Sequence, residues 1–174
     1  MKPFCITLLT LAIIILSLVG IGYPKSSVNK EYLRIHIRAN SNEEVDQSVK
    51  YLVKDRLVNY LTPILSTCTT KEKAEIELTN RLTEIEKIAD SVLLSNGYLY
   101  KSKAKINTEL FPTRTYENLT LDCGYYDALI LELGDGKGDN WWCVVYPPLC
   151  FVDNGAGYIY KSKILEIIKD FFKT

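Results

Sequence analysis

Both tryptophans of the chain, two of its five cysteines and its Pro-Pro pair fall within one stretch, Asn140-Trp141-Trp142-Cys143-Val144-Val145-Tyr146-Pro147-Pro148-Leu149-Cys150-Phe151. Trp141 to Tyr146 is a run of aromatic and β-branched residues. It predicts a strand buried on both faces at the centre of the fold. Proline cannot donate to a sheet ladder and biases the residue before it toward extended backbone, so Pro147-Pro148 ends the strand and leads the chain away stiffly. A Cys143–Cys150 disulfide would close a loop of about eight residues, worth roughly 2–3 kcal/mol in the chain-entropy account. The stretch is then either a stapled aromatic knuckle or a plain piece of core, and composition does not choose between them.

The rest of the 174 residues suffices for one ordinary core plus an appendage. The appendage is residues 1–22, whose apolar run Phe4 to Gly22 would be about 28 Å long as a helix and follows a single charge, Lys2. It reads as a signal peptide or an uncleaved membrane anchor, since Gly20 and Gly22 offer small residues for a cleavage site. Either way, Tyr23 onward is expected outside the cytoplasm. With 21 basic and 21 acidic residues, there is no electrostatic case for nucleic acid. Outside the cytoplasm Cys68, Cys123, Cys143 and Cys150 can oxidise; three complete pairings are possible, and only the Cys143/Cys150 spacing favours one.

Residues 23–30 read as a tether, and 31–174 as a single domain. Leu33, Ile35 and Ile37 alternate with Arg34, His36 and Arg38, which predicts a half-buried strand with a basic outer face. Ser41 to Glu44 fits a capping box, and Val45 to Leu65 follows at helical spacing until Pro63 ends or kinks it. Thr69 to Glu72 repeats the capping pattern before a second helix that stops at Asn96-Gly97. Tyr98 to Glu109 returns to period two and again places lysines, Lys101, Lys103 and Lys105, on an outer face. Leu110 to Tyr116 reads as a turn or edge segment, Asn118-Leu119-Thr120 matches a glycosylation sequon, and Gly124 to Leu133 reads as a central strand. The glycine-rich Gly134 to Asp139 predicts a hairpin joining that strand to the tryptophan strand, since no helical pattern follows it to hold a phosphate. A last amphipathic helix begins at Ser162.

Catalytic groups are scarce. His36 is the sole imidazole and sits between two arginines, where a solvated surface role outweighs a catalytic one. No Cys-x-x-Cys or His-x-x-x-His spacing suggests a metal, nothing implies a cofactor, and no nucleophile motif is present.

Leu33-Arg34-Ile35-His36-Ile37-Arg38-Ala39-Asn40-Ser41, Phe111-Pro112-Thr113-Arg114-Thr115-Tyr116, Gly124-Tyr125-Tyr126-Asp127-Ala128-Leu129 and the tryptophan stretch occur in this order. Together they resemble the stage II sporulation protein R family, over about Leu33 to Asp153. One departure is Asp122-Cys123, where the family usually has Pro-Ala. The resemblance implies a protein exported from the forespore into the space between the two sporulation membranes. There it would signal to a membrane-embedded aspartic protease of the mother cell, which cleaves a sigma-factor precursor.

The expected fold is an α+β two-layer sandwich, with two capped helices on one face of a mixed, largely antiparallel sheet. The expected function is signalling by protein contact and not catalysis, through Trp141, Trp142, Tyr146, Pro147, Pro148 and Phe151 together with Arg34, His36 and Arg38, and with Cys143 bonded to Cys150. Rivals are a secreted cysteine hydrolase pairing His36 with Cys143 or Cys123, and a wall-binding module.

Overall fold

The computed structural model describes residues 28–116 and 119–150. The apolar segment 4–22, Asn118 of the sequon, Phe151 and the C-terminal helix expected from Ser162 lie outside these residues. Among the described residues no helix is long and apolar enough to cross a membrane.

The strands are β1 (Asn29–Arg38), β2 (Ser102–Phe111), β3 (Arg114–Tyr116), β4 (Leu119–Leu121), β5 (Gly124–Leu133) and β6 (Asn140–Tyr146). The helices are α1 (Glu44–Leu65), α2 (Lys71–Thr79) and α3 (Leu82–Ser95). Four strands form a mixed sheet in the order β2-β5-β1-β6, with β1 parallel to β5 and the other two pairings antiparallel. A separate two-stranded ribbon pairs β3 with β4. The fold is therefore α+β, as expected, but with three helices.

The odd positions of β1, Leu33, Ile35 and Ile37, point into a core shared with Leu129, Leu131 and Leu133 of β5, Cys143 and Val145 of β6, and the helices. Helix α1 contributes Val49, Val53, Leu57, Leu61 and Leu65, a stripe of four-residue spacing. It runs through Pro63 to Leu65 instead of ending there, because Leu61 and Leu65 remain fully packed and hold the last turn. Proline supplies no N–H to the carbonyl four residues earlier, a loss that the packing of this last turn outweighs.

The capping box at Ser41 does not form. Ser41 Oγ instead donates to Asp46 at 2.6 Å and accepts from the Glu43 amide at 3.1 Å, so the side chain of Asp46 gathers the start of α1. Asn40 and Tyr100 donate to the same carboxylate, at 2.8 and 2.7 Å, and these hydrogen bonds hold the Asp46 carboxyl below its usual range against the opposing effect of burial. The second capping pattern acts one residue later than its spacing suggests: Thr70 accepts from the Lys73 amide at 3.2 Å. The helix that follows is broken at Asn80–Arg81, which lets α2 lie on β1 while α3 packs against α1 and β2. Its end is as expected. Gly97 adopts φ +84°, and the Tyr98 and Gly97 amides donate back to Leu93 and Leu94, the pairing that closes a helix on a left-handed glycine.

Gly134–Asp139 is not a hairpin turn, because β1 lies between β5 and β6. The loop crosses the end of β1 and clasps the residues that follow it: the Gly138 and Lys137 amides donate to the carbonyls of Ala39 and Asn40 at 2.9 and 3.2 Å. A Cβ on Gly138 would stand 2.1 Å from the Ser41 carbonyl oxygen, so only glycine lets the two backbones pass. For the same reason of order, the tryptophan strand β6 is an edge strand, and β1 and β5 occupy the centre.

Candidate functional site

The sheet face away from the helices overturns the expectation of a solvated basic surface. Arg34 and His36 are 0% and 1% exposed. Their side chains point into a second core built from Phe111, Leu121, Tyr126, Ala128, Ile130 and Val144, with Tyr116, Leu119 and Trp142 packed around it. The segment Leu110–Tyr116 is what closes this face: Phe111 is the fully buried last residue of β2, and Pro112 turns the chain into the β3–β4 ribbon.

Arg34 is caged by rings. Its guanidinium carbon lies 4.2 Å from the Phe111 centroid and 4.8 Å from that of Tyr126, and Nη2 donates to the Tyr116 hydroxyl at 2.7 Å. Nε and Nη1 are buried without a hydrogen-bond acceptor, so the negative ring faces are what compensate the charge. His36 stacks on Phe111, centroids 5.4 Å apart, and meets the edge of Trp142 at 4.7 Å. Its Nε2 lies 3.3 Å from a Glu109 carboxylate oxygen but makes no hydrogen bond. Burial, followed by the positive charges of Arg38, Lys105 and Arg34, pushes its pKa down to about 3 and outweighs that carboxylate. The imidazole is neutral.

Arg38 and Lys105 are not free cations either. Arg38 bridges Glu132 and Glu109, at 2.6 Å to each, and Lys105 reaches Glu132 at 3.1 Å. The positive partners hold the Glu132 carboxyl low despite burial. Of the residues that looked like a basic face in sequence, Arg38 and Lys105 are thus drawn into a charge-balanced network at the margin of the aromatic core, whereas Lys101 and Lys103 are exposed, as expected.

The two tryptophans lie on opposite faces, as neighbours on a strand must. Trp141 is half-buried against the helix-side core, with Lys54 Nζ 5.9 Å from its ring centroid. Trp142 is half-buried on the other side, 4.8 Å from Phe111 and with Arg114 at 5.9 Å. Beyond them, Tyr146 donates its hydroxyl to the Thr69 carbonyl at 2.8 Å, and the Tyr146–Pro147 peptide is cis. Pro147 and Leu149 are exposed and Pro148 is half-buried. Cys143 and Cys150 have Cα atoms 6.4 Å apart, within the span of a disulfide. Cys68 is half-buried and Cys123 exposed, neither bonded.

Of the nine contact residues expected from sequence, the structure brings Trp142 together with Arg34, His36 and Arg38 on one face. It leaves Tyr146, Pro147 and Pro148 at the far end of β6. The partners that make the Arg34 cage, Phe111, Tyr116 and Tyr126, were not singled out for it. The signal was present, because the four stretches that carry the family resemblance are the four that meet around this arginine.

Residues 29–156 match the family model described as stage II sporulation protein R. The chain belongs to the stage II sporulation protein R family. It is 34% identical over 131 residues to the stage II sporulation protein R of Bacillus subtilis (strain 168), a match spanning 75% of this chain and 58% of that relative. No solved structure matches. Family membership makes this a sporulation protein, and the matched region takes in the aromatic core, the glycine clasp and the β6 turn alike.

Proposed function

We propose that this chain is an exported sporulation signal that activates, by protein contact, a membrane-embedded aspartic protease of the mother cell, which then processes a sigma-factor precursor. It acts between the forespore and mother-cell membranes, delivered there by the apolar segment 4–22 as signal peptide or anchor. The observation that carries this reading is the family match over residues 29–156.

Contact in place of catalysis is supported by the geometry of the chain's own nucleophiles. Cys143 is fully buried in the helix-side core while His36 lies in the core on the opposite face, so the two cannot form a Cys–His pair. Cys123 is exposed whereas the His36 ring is sealed under Phe111 and Trp142. The contact surface we assign is the turn after β6, where exposed Pro147 and Leu149 project beyond Tyr146 and Pro148. A Cys143–Cys150 disulfide makes that turn rigid, so little entropy is lost when it docks.

Co-expression of the chain, the candidate protease and its sigma precursor in a non-sporulating host tests this. Processing is expected with the wild type and with His36→Gln. It is expected to be lost with Leu149→Asp, whose solvent-exposed position leaves the fold intact. Absence of processing with folded wild-type chain overturns the function, and full processing with Leu149→Asp overturns the surface.

A further inference from the structure

One apolar surface has no role in the fold or in the contact just proposed. A groove of about 280 Å³ runs along the first half of α1, lined by Glu44, Val45, Ser48, Val49 and Leu52, and is closed by Asn96 and Tyr98 after α3. Tyr98 fixes its geometry by donating to the Val45 carbonyl at 2.8 Å. Val45 is 57% exposed and Leu52 47%, on a helix whose inward stripe already fills the core. Leu94 and Leu99, on either side of the closing residues in sequence, are exposed as well. Apolar side chains gathered beside a groove mark a contact surface more often than a solvated one. The rim at the start of α1 is acidic, with Glu43 and Glu44 both exposed.

We propose that the occupant of this groove is the chain's own C-terminal segment, Ser162–Thr174, docked as an amphipathic helix. That segment repeats Ile164, Leu165, Ile168, Phe171 and Phe172 at helical spacing, an apolar face of the kind that fills a groove between helices. Lys163, Lys169 and Lys173 flank that face and complement the acidic rim. The geometry of the chain end allows it. Strand β6 pairs only with Leu33–Arg38 of β1, and the Cα of Cys150 lies 6.4 Å from that of Cys143, which sits opposite Ile35, so the last described residue is near mid-sheet, about 10 Å along β1 from the pole where the groove begins. Residues 151–161 span up to roughly 36–40 Å when extended, enough to return to that pole along the helix face.

The test uses the full exported chain. Val45→Glu and Leu52→Glu, both at exposed positions, are expected to speed chymotrypsin cleavage at Phe171 and Phe172 by roughly fivefold or more without lowering the melting temperature. In the reverse direction, Phe171→Asp with Phe172→Asp is expected to speed amide exchange in residues 44–52 and 94–98, and nowhere else in the domain. This second arm leaves the groove untouched, so it decides the matter even where a groove variant unfolds. Unchanged exchange in the tail variant overturns the proposal. So does groove protection that rises with protein concentration, which assigns the groove to a second copy of the chain.

Discussion

The two faces of β1 are both sealed, yet by opposite means. On one, Leu33, Ile35 and Ile37 meet three helices in a conventional apolar core. On the other, Arg34 and His36 are equally inaccessible, beneath a layer of aromatic rings and a two-stranded ribbon. Alternation of apolar and charged residues establishes that a strand has two different faces. It does not establish that the charged one is wet. An arginine can be buried when rings supply a negative surface, and a histidine when it gives up its charge.

If the second face is a true core, its central ring should matter as much as an aliphatic residue on the first. Phe111→Ala is expected to destabilise the domain by about 3–5 kcal/mol, matching or exceeding the roughly 2–5 kcal/mol expected of Ile35→Ala. Urea unfolding of the two variants makes the comparison. A cost under about 1 kcal/mol for Phe111→Ala would show that the ribbon side is a loose cover instead.

How much of this was legible depended on the range of the interaction. The helix-side core, the left-handed stop at Gly97 and the opposed tryptophans followed from periodicity and local rules, which act within a turn or two of chain. The strand order did not. Gly134–Asp139 has the composition of a hairpin turn, and nothing local announces that β1 inserts between the strands it joins. The burial of Arg34 was hidden for the same reason: its cage comes from β2, the β3–β4 ribbon and β5, all more than seventy residues away. Pro63 and the Asn80–Arg81 break show the converse, where tertiary packing overrides a local signal or creates a break that no proline or glycine marks.

The contrast between the faces also has a pH signature. His36 titrates at about 3 in the folded chain against about 6.5 when unfolded, so between these values the unfolded state binds the extra proton. Its contribution to stability is therefore complete above pH 6.5 and drains away as the pH falls toward 3. Between pH 7 and pH 4.5 the loss is expected to be about 2–3 kcal/mol. Asp46, Asp127 and Glu132 are all held low in the folded state, so their losses come mainly below this window. His36→Gln should flatten the stability profile between pH 7 and 4.5. A profile with the same slope in wild type and variant would mean that the imidazole is protonated in the fold, paired with Glu109.

The smallest effect is expected where the chemistry looks most unusual. Arg34 donates one hydrogen bond to Tyr116 and otherwise faces rings, with no carboxylate in hydrogen-bond contact to balance its charge. Removing such a charge from water is expensive, and what the rings return is about 2 kcal/mol or somewhat more when desolvated. Arg34→Met keeps most of the volume, drops the desolvation cost and leaves one group, the Tyr116 hydroxyl, without its partner. Replacing buried charged groups with apolar residues of similar size is often neutral or stabilising, so Arg34→Met is expected to shift stability by no more than about 1.5 kcal/mol. Arg34→Ala, which empties the same space, should cost at least about 2 kcal/mol more than the Met variant. If both substitutions prove equally costly in urea unfolding, the guanidinium itself holds the ribbon on the sheet, and the second face differs from the first in what binds it together as well as in what it contains.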